Sequence, residues 1–232
     1  MRNLTYSVFL VVLVVSSQCL AQARGQTEAI NDSYKQPDLE ASVWADRFEV
    51  EGREVFDLRN EIVAALGIET GQHVADVGAG TGLFVPLLAA AVGTSGKVYA
   101  VDIVPKFIAY IDEKISSRNL SQVQTVLSNE RSVALPENSV DMVFTSDAYH
   151  HFTYYQDMLA SIRKALRPEG QLIIVEYDIE AQGIPQQMKT HVGATKQEFT
   201  AQIEANGFEL VEDLTLPAMR ETFIRRFRLK LN

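Results

Sequence analysis

The stretch His73-Val74-Ala75-Asp76-Val77-Gly78-Ala79-Gly80-Thr81-Gly82-Leu83-Phe84 decides the fold. Residues 74–77 are apolar apart from Asp76, with the length of a buried strand. A glycine-rich turn follows, and residues 83–92 read as a helix. Glycines permit left-handed backbone angles and let a bound ligand come close to the main chain. Residues 98–101 are a second β-type run, ending in Asp102, 20 residues after Gly82. An acid at that point of a strand–turn–helix–strand unit can hydrogen-bond both hydroxyls of a ribose. The dinucleotide fingerprint is G-x-G-x-x-G, with a pyrophosphate at the helix N-terminus. Here the spacing is G-x-G-x-G, and Asp76 stands where it would repel phosphates and suit a cation such as an amino or sulfonium group. Two plainer readings stay open: a tight turn only, and Asp102 as a helix cap ahead of Pro105, which is compatible with ligand binding.

Working outward, the same alternation continues. Residues 123–127, 140–145 and 172–177 are further strand candidates, and residues 105–118 and 155–166 are helical. In the latter, Met158, Leu159, Ile162, Ala165 and Leu166 share one face. Pro105 suits a first helical turn, where its missing N–H costs nothing. Alternating β and α units imply an α/β domain with a parallel sheet covered on both faces. The tail breaks the pattern. A helix at 195–206 stops at Gly207, and residues 208–214 and 222–229 are strand-like with no helix between them. The short link containing Pro217 is too short for a parallel crossover, so these two should pair antiparallel.

Together these residues resemble the class I S-adenosylmethionine-dependent methyltransferases, whose first motif reads (V/I)-(L/A)-D-x-G-x-G-x-G. The likeness extends over residues 57–228. Ser139-Val140-Asp141-Met142-Val143-Phe144 is similar to the family's fourth strand, and Leu166-Arg167-Pro168-Glu169-Gly170-Gln171-Leu172 to its L-(K/R)-P-G-G-x-L turn, with Glu169 replacing a glycine. The resemblance implies a Rossmann-like, doubly wound, mostly parallel seven-stranded sheet with an antiparallel C-terminal strand pair. It implies S-adenosylmethionine as cofactor, held by Asp76, Gly78, Ala79, Gly80 and Gly82 on its methionine side. Asp102 would hold the ribose, Ile103 would lie against the adenine, and Glu130 and Asp147 would complete the site.

Methyl transfer from a sulfonium is a direct displacement, in which alignment supplies much of the rate and a general base is optional. Candidate acceptor-side groups lie at the carboxyl ends of later strands: His150, Glu176 and, beyond them, His191. Histidine titrates near neutrality, so these three are the expected orienting or proton-accepting groups. One packed and one solvated histidine at a helix start is the plainer reading of His150-His151. No H-x-x-x-H or similar pairing accompanies His150, His151, His191, Glu176 and Asp147, so no metal is expected. Trp44, Arg47, Phe48 and Arg53 precede the first strand; they either close an acceptor pocket or form a helix docked on the sheet edge. Arg225, Arg226, Arg228 and Lys230 are read as solvated strand ends rather than an anion site.

Of 232 residues, 47% are hydrophobic and 22% charged, which excludes a disordered or multi-span membrane chain. The formal charge of −9 leaves no basic footprint for nucleic acid. Residues 1–23 read as an export signal: Arg2, the apolar run 8–15, and Ala21-Gln22-Ala23 as a cleavage site. The apolar run is too short to span a bilayer, so no stable membrane span is expected after cleavage. Cys19, the only cysteine, falls inside this segment. Lipid attachment there is the alternative to plain cleavage, though the residues before it make a poor lipobox. Removal of the segment takes one basic and no acidic residue, leaving −10. Residues 24–40 are a polar lead-in and 41–232 one domain. The expected protein is an exported methyltransferase acting on a small-molecule acceptor, in the periplasm or secreted. Rival readings are an exported nucleoside-binding module without transfer and an NAD-dependent oxidoreductase. The sequence leaves the acceptor and the oligomeric state undetermined.

Overall fold

The computed structural model describes residues 30–230. The export signal, Cys19 and the cleavage site lie outside the described residues, as does the first part of the lead-in. One sheet organises the domain, in the order β3-β2-β1-β4-β5-β7-β6. Its strands are β1 (His73–Val77), β2 (Lys97–Asp102), β3 (Val123–Leu127), β4 (Val140–Ser146), β5 (Leu166–Tyr177), β6 (Phe208–Leu214) and β7 (Thr222–Leu229). The first five pair in parallel, whereas β7 runs antiparallel to both β5 and β6. This is the doubly wound, Rossmann-like arrangement that the resemblance implies, and the link after β6 makes the antiparallel pair as its length requires.

The helices are α1 (Ala41–Phe48), α2 (Glu54–Asp57), α3 (Arg59–Ala65), α4 (Val85–Val92), α5 (Pro105–Arg118), α6 (Tyr155–Ala165), α7 (Gln186–Val192) and α8 (Lys196–Ala205). On one face of the sheet, Val77, Val143, Ile174 and Phe227 pack with Leu159 and Ile162 of α6 and with Phe199 and Ile203 of α8. On the other, Val74, Val98, Phe144, Ile173 and Ile224 meet Ile62 of α3 and Leu88 and Val92 of α4. Burial on both faces explains the nearly unbroken apolar strands. Asp76, inside such a strand and 2% exposed, is the exception that needs a reason.

Boundaries differ where the chain bends. The first crossover helix begins at Val85, not 83, because residues up to Phe84 complete the glycine turn. The helix of 155–166 ends at Ala165, since Leu166 already has extended angles and pairs with Val140. Strand β5 is correspondingly longer than residues 172–177. Gln171 pairs next, with Met142, so Arg167–Gly170 bulge from the ladder as the expected turn. Glu169 fits there because it is exposed and is not among the positive-φ residues. Helix α8 opens with a capping box between Thr195 and Glu198, which satisfies two backbone donors. The basic tail cluster is not all solvated as expected: Arg225 is buried, and it pairs with Asp213 at 3.0 Å, Arg226 with Glu212 at 3.0 Å, and Arg228 with Glu209.

Candidate active site

Strands β1 and β4 are neighbours, but the chain leaves them toward opposite edges of the sheet. Their following loops therefore diverge and leave a crevice at their carboxyl ends. Gly78 adopts φ 77°, and a Cβ there would lie 2.5 Å from the Cβ of Ala148. Only glycine lets the two loops approach so closely. The glycine turn is anchored to β2: the N–H groups of Gly78 and Ala79 donate to the Val101 carbonyl at 2.9 and 3.1 Å. Asp102 accepts from the Gly80 N–H through Oδ2 and from the Val104 N–H through Oδ1, both at 2.8 Å. Its side chain makes no N-cap bond to α5, whose N-cap is Val104. Each carboxylate oxygen retains capacity for a second donor.

The crevice and its open mouth together span about 990 Å³ of space, part of it bulk solvent. Among its lining residues are Asp76, Gly78, Ala79, Gly80, Asp102, Ile103, Glu130 and Asp147, as the sequence predicts. Gly82 is not among them. A Cβ on it would meet Ile111 at 3.0 Å, so this glycine serves the close packing of α5 instead. His150, Glu176 and His191 do not line the crevice either, but His151 does. Glu176, fully buried at the end of β5, draws His150 inward; Nδ1 lies 2.7 Å from Oε2. His191, on α7, reaches His150 from outside, with the two Nε2 atoms 3.3 Å apart. The structure thus joins the three expected acceptor-side groups into one cluster behind the crevice wall.

Three residues expected in the lead-in or pre-core segment close the other side. Tyr34 and Phe48 line the crevice and pack with Trp44 and Phe107. Arg53 donates to the Phe48 carbonyl at 2.7 Å and pairs with Asp147 at 2.5 Å. Trp44 supports this wall without lining it, and Arg47 stacks on Trp44. Glu49, at the end of α1, accepts from Thr81 of the glycine turn and from Lys114, each at 2.8 Å. The pre-core segment is therefore a pocket wall clamped to the ligand-binding turn. Residues 30–40 belong to it as well: Asn31 and Leu39 are buried, and Asn31 bonds to His151 and Thr153. No local pattern marks Asn31 or Tyr34 as site residues; only their distant partners do.

The electrostatics are those of a cation site. Burial, then the neighbouring Asp102, pushes Asp76 up to about 7. Burial raises Asp102 to about 6, against the lowering effect of its backbone donors. Asp147 is raised to about 6 by burial, with Arg53 opposing. It also has φ 48°, and its Oδ1 and the adjacent Ser146 hydroxyl are buried without hydrogen-bond partners. A strained residue with an unsatisfied oxygen at a crevice is a common mark of a ligand site. Glu130 faces the same space while paired with Lys35 at 2.8 Å. Burial pushes Glu176 up to about 7 and His150 and His151 down to about 3 and about 2, so both imidazoles are neutral. S-Adenosylmethionine fits this donor set: acids for its cationic methionine end, a second acid for a ribose, and Ile103 beside it for an adenine.

Residues 75–174 match the family described as methyltransferase domain. Among curated proteins, the chain is 26% identical over 118 residues to a demethylmenaquinone methyltransferase of Geobacillus sp., covering 51% of this chain and 50% of that one. It is 30% identical over 112 residues to the ubiquinone/menaquinone biosynthesis C-methyltransferase UbiE of Cronobacter sakazakii, covering 48% and 45%. The chain thus spans about half the length of the curated relatives it matches. A crystal structure of a SAM dependent methyltransferase from Aquifex aeolicus superimposes with a TM-score of 0.72 at 25% identity, over 82% of this chain and 98% of that one. These likenesses support a transferase of the methyl-transferring class and imply S-adenosylmethionine as its cofactor.

Proposed function

We propose that this chain transfers a methyl group from S-adenosylmethionine to a small-molecule acceptor bound in the crevice between the β1 and β4 loops. The observation that carries the reading is Asp76, a buried carboxylate facing the crevice with no protein cation against it among the described residues. Such a group is stable when a cation is supplied from outside. When bound, S-adenosylmethionine supplies a methyl group activated by its positive sulfur. Asp76 holds the charged methionine end, aided by the main chain of Gly78, Ala79 and Gly80. Asp102, fixed by two backbone donors, accepts from ribose hydroxyls. Ile103 and Glu130 take the adenine side, and Asp147 turns its unsatisfied oxygen toward the ligand. The aromatic wall of Tyr34, Phe48 and Phe107 excludes water, so positioning supplies most of the catalysis. The names of the relatives point to quinone-type rings, and the apolar wall suits a ring-bearing acceptor of that general kind.

Titration calorimetry with S-adenosylmethionine, S-adenosylhomocysteine and NAD tests this reading. The first two should bind and NAD should not; binding of NAD alone overturns it. The export pattern of residues 1–23 favours one second reading, an exported module that binds the cofactor without transfer, because this cofactor is made in the cytoplasm. Cofactor binding without turnover across phenolic, quinol and amine acceptors would establish that alternative. Export itself is proposed from the same residues, and mass spectrometry of the processed N-terminus distinguishes cleavage after Ala23, lipidation at Cys19 and retention.

A further inference from the structure

The histidines behind the crevice come from separate segments. His150 and His151 follow β4, and His191 lies on α7. One ring nitrogen from each falls within 4.8 Å of the others. The rings of His150, which is buried, and His151, which is half-buried, are held by their Nδ1 atoms. His150 Nδ1 faces Glu176 Oε2 at 2.7 Å, and His151 Nδ1 faces Asn31 Oδ1 at 3.0 Å. An oxygen acceptor at Nδ1 fixes the tautomer that carries the proton there, leaving the Nε2 lone pair free. Carboxylate or carbonyl partners of this kind are the usual supports of metal-bound histidine.

The spacing agrees. Two nitrogens bound at about 2.05 Å to one tetrahedral ion are about 3.3 Å apart. The Nε2 atoms of His150 and His191 are 3.3 Å apart. Three imidazoles meeting at tilted and edge-on angles serve no evident packing need, since His191 is exposed at the surface end of the cluster. Glu176 is also costly to bury as a carboxylate, and a cation bound to its histidine partner would offset that cost.

We propose that His150, His151 and His191 bind one divalent transition-metal ion of the zinc class through Nε2, with Glu176 and Asn31 as positioning residues. Nitrogen ligands of this kind select zinc-like ions over magnesium or calcium, which prefer oxygen. Three protein ligands leave a fourth position for water. Because His151 also lines the crevice, that position adjoins the acceptor end, where an acceptor oxygen could replace the water. Only this last clause rests on the transfer reading.

The test uses the untagged chain, stripped with chelator and titrated with Co²⁺, whose visible ligand-field spectrum reports tetrahedral nitrogen ligation. One Co²⁺ per chain is expected, displaced by one Zn²⁺. His191→Ala, at an exposed position, should keep the fold by circular dichroism yet weaken Co²⁺ binding at least 100-fold. Asn31→Ala should weaken it about 10-fold, in the range for an outer-shell partner. Absence of a stoichiometric spectrum, or equal affinity in wild type and His191→Ala, overturns the metal site. S-Adenosylhomocysteine titration of the same samples is read separately. Cobalt binding without nucleoside binding would sink the transfer reading alone, and the reverse would sink the metal site alone.

Discussion

The two ends of the crevice are built by different means. At the nucleoside end, all but Glu130 comes from one stretch, residues 76–104, and the main chain does most of the holding: backbone donors of the glycine turn and of Val104 fix Asp102. At the histidine end, side chains from four separate segments hold one another, as in His150 with Glu176 and His191, and His151 with Asn31. The first arrangement tolerates variation in side chains but not in glycine geometry. The second tolerates backbone variation but depends on each side chain.

Gly78 is where the two ends meet, since it abuts Ala148 two residues before His150. Gly78→Ala forces a Cβ into a 2.5 Å approach at φ 77°. Strain at positive φ and overpacking each cost about 1–3 kcal/mol, so a loss of about 3 kcal/mol is expected. For a domain of this size that lowers Tm by about 6–12 °C, measurable by calorimetry. It should impair cobalt and nucleoside binding together; loss of only one would break the view that this glycine joins the two ends.

Asp102→Ala affects the nucleoside end alone. Hydrogen bonds to a charged group contribute about 1.5–3 kcal/mol, so S-adenosylhomocysteine affinity should fall about 10- to 100-fold. Cobalt affinity should stay within about 2-fold of wild type. Unchanged nucleoside affinity would remove Asp102 from the site.

A third effect is a pH dependence. Asp76 has a folded value near 7 against an ordinary 3.8, so the folded chain binds its proton more tightly than the unfolded chain does. This contribution to stability is complete below the ordinary value and is lost as pH rises through about 7. Urea denaturation without ligand should show stability falling between pH 4 and pH 7, and Asp76→Asn should flatten that slope. An unchanged slope in the variant would assign the effect elsewhere, to Asp102 or Glu176, which are shifted in the same direction.

The same contrast explains what was legible. The strand, turn and acid from His73 to Asp102 are readable because each element sits next to its neighbour in sequence, and the spacing reflects one crossover. The antiparallel tail is readable because the link between its strands is too short for anything else. By contrast, Asn31 and His151 are 120 residues apart and His150 and His191 are 41 apart. No periodicity encodes such meetings. Gly82 belongs to the right motif but serves helix packing, because motif membership fixes the turn and not which residues of it face the ligand. His151 is harder to single out than His150 for a related reason: in a short turn, neighbouring side chains point in different directions, and only the buried Glu176 decides which one goes inward.

Strand β7 lies between β5 and β6, although β6 precedes it in the chain. During synthesis, the edge of β5 therefore stays open until residues 222–229 have emerged. Each hydrogen bond from β5 to its antiparallel neighbour waits for β7. In a chain that folds from its N-terminal side, the seam between β5 and β7 is therefore among the later contacts of the sheet to form.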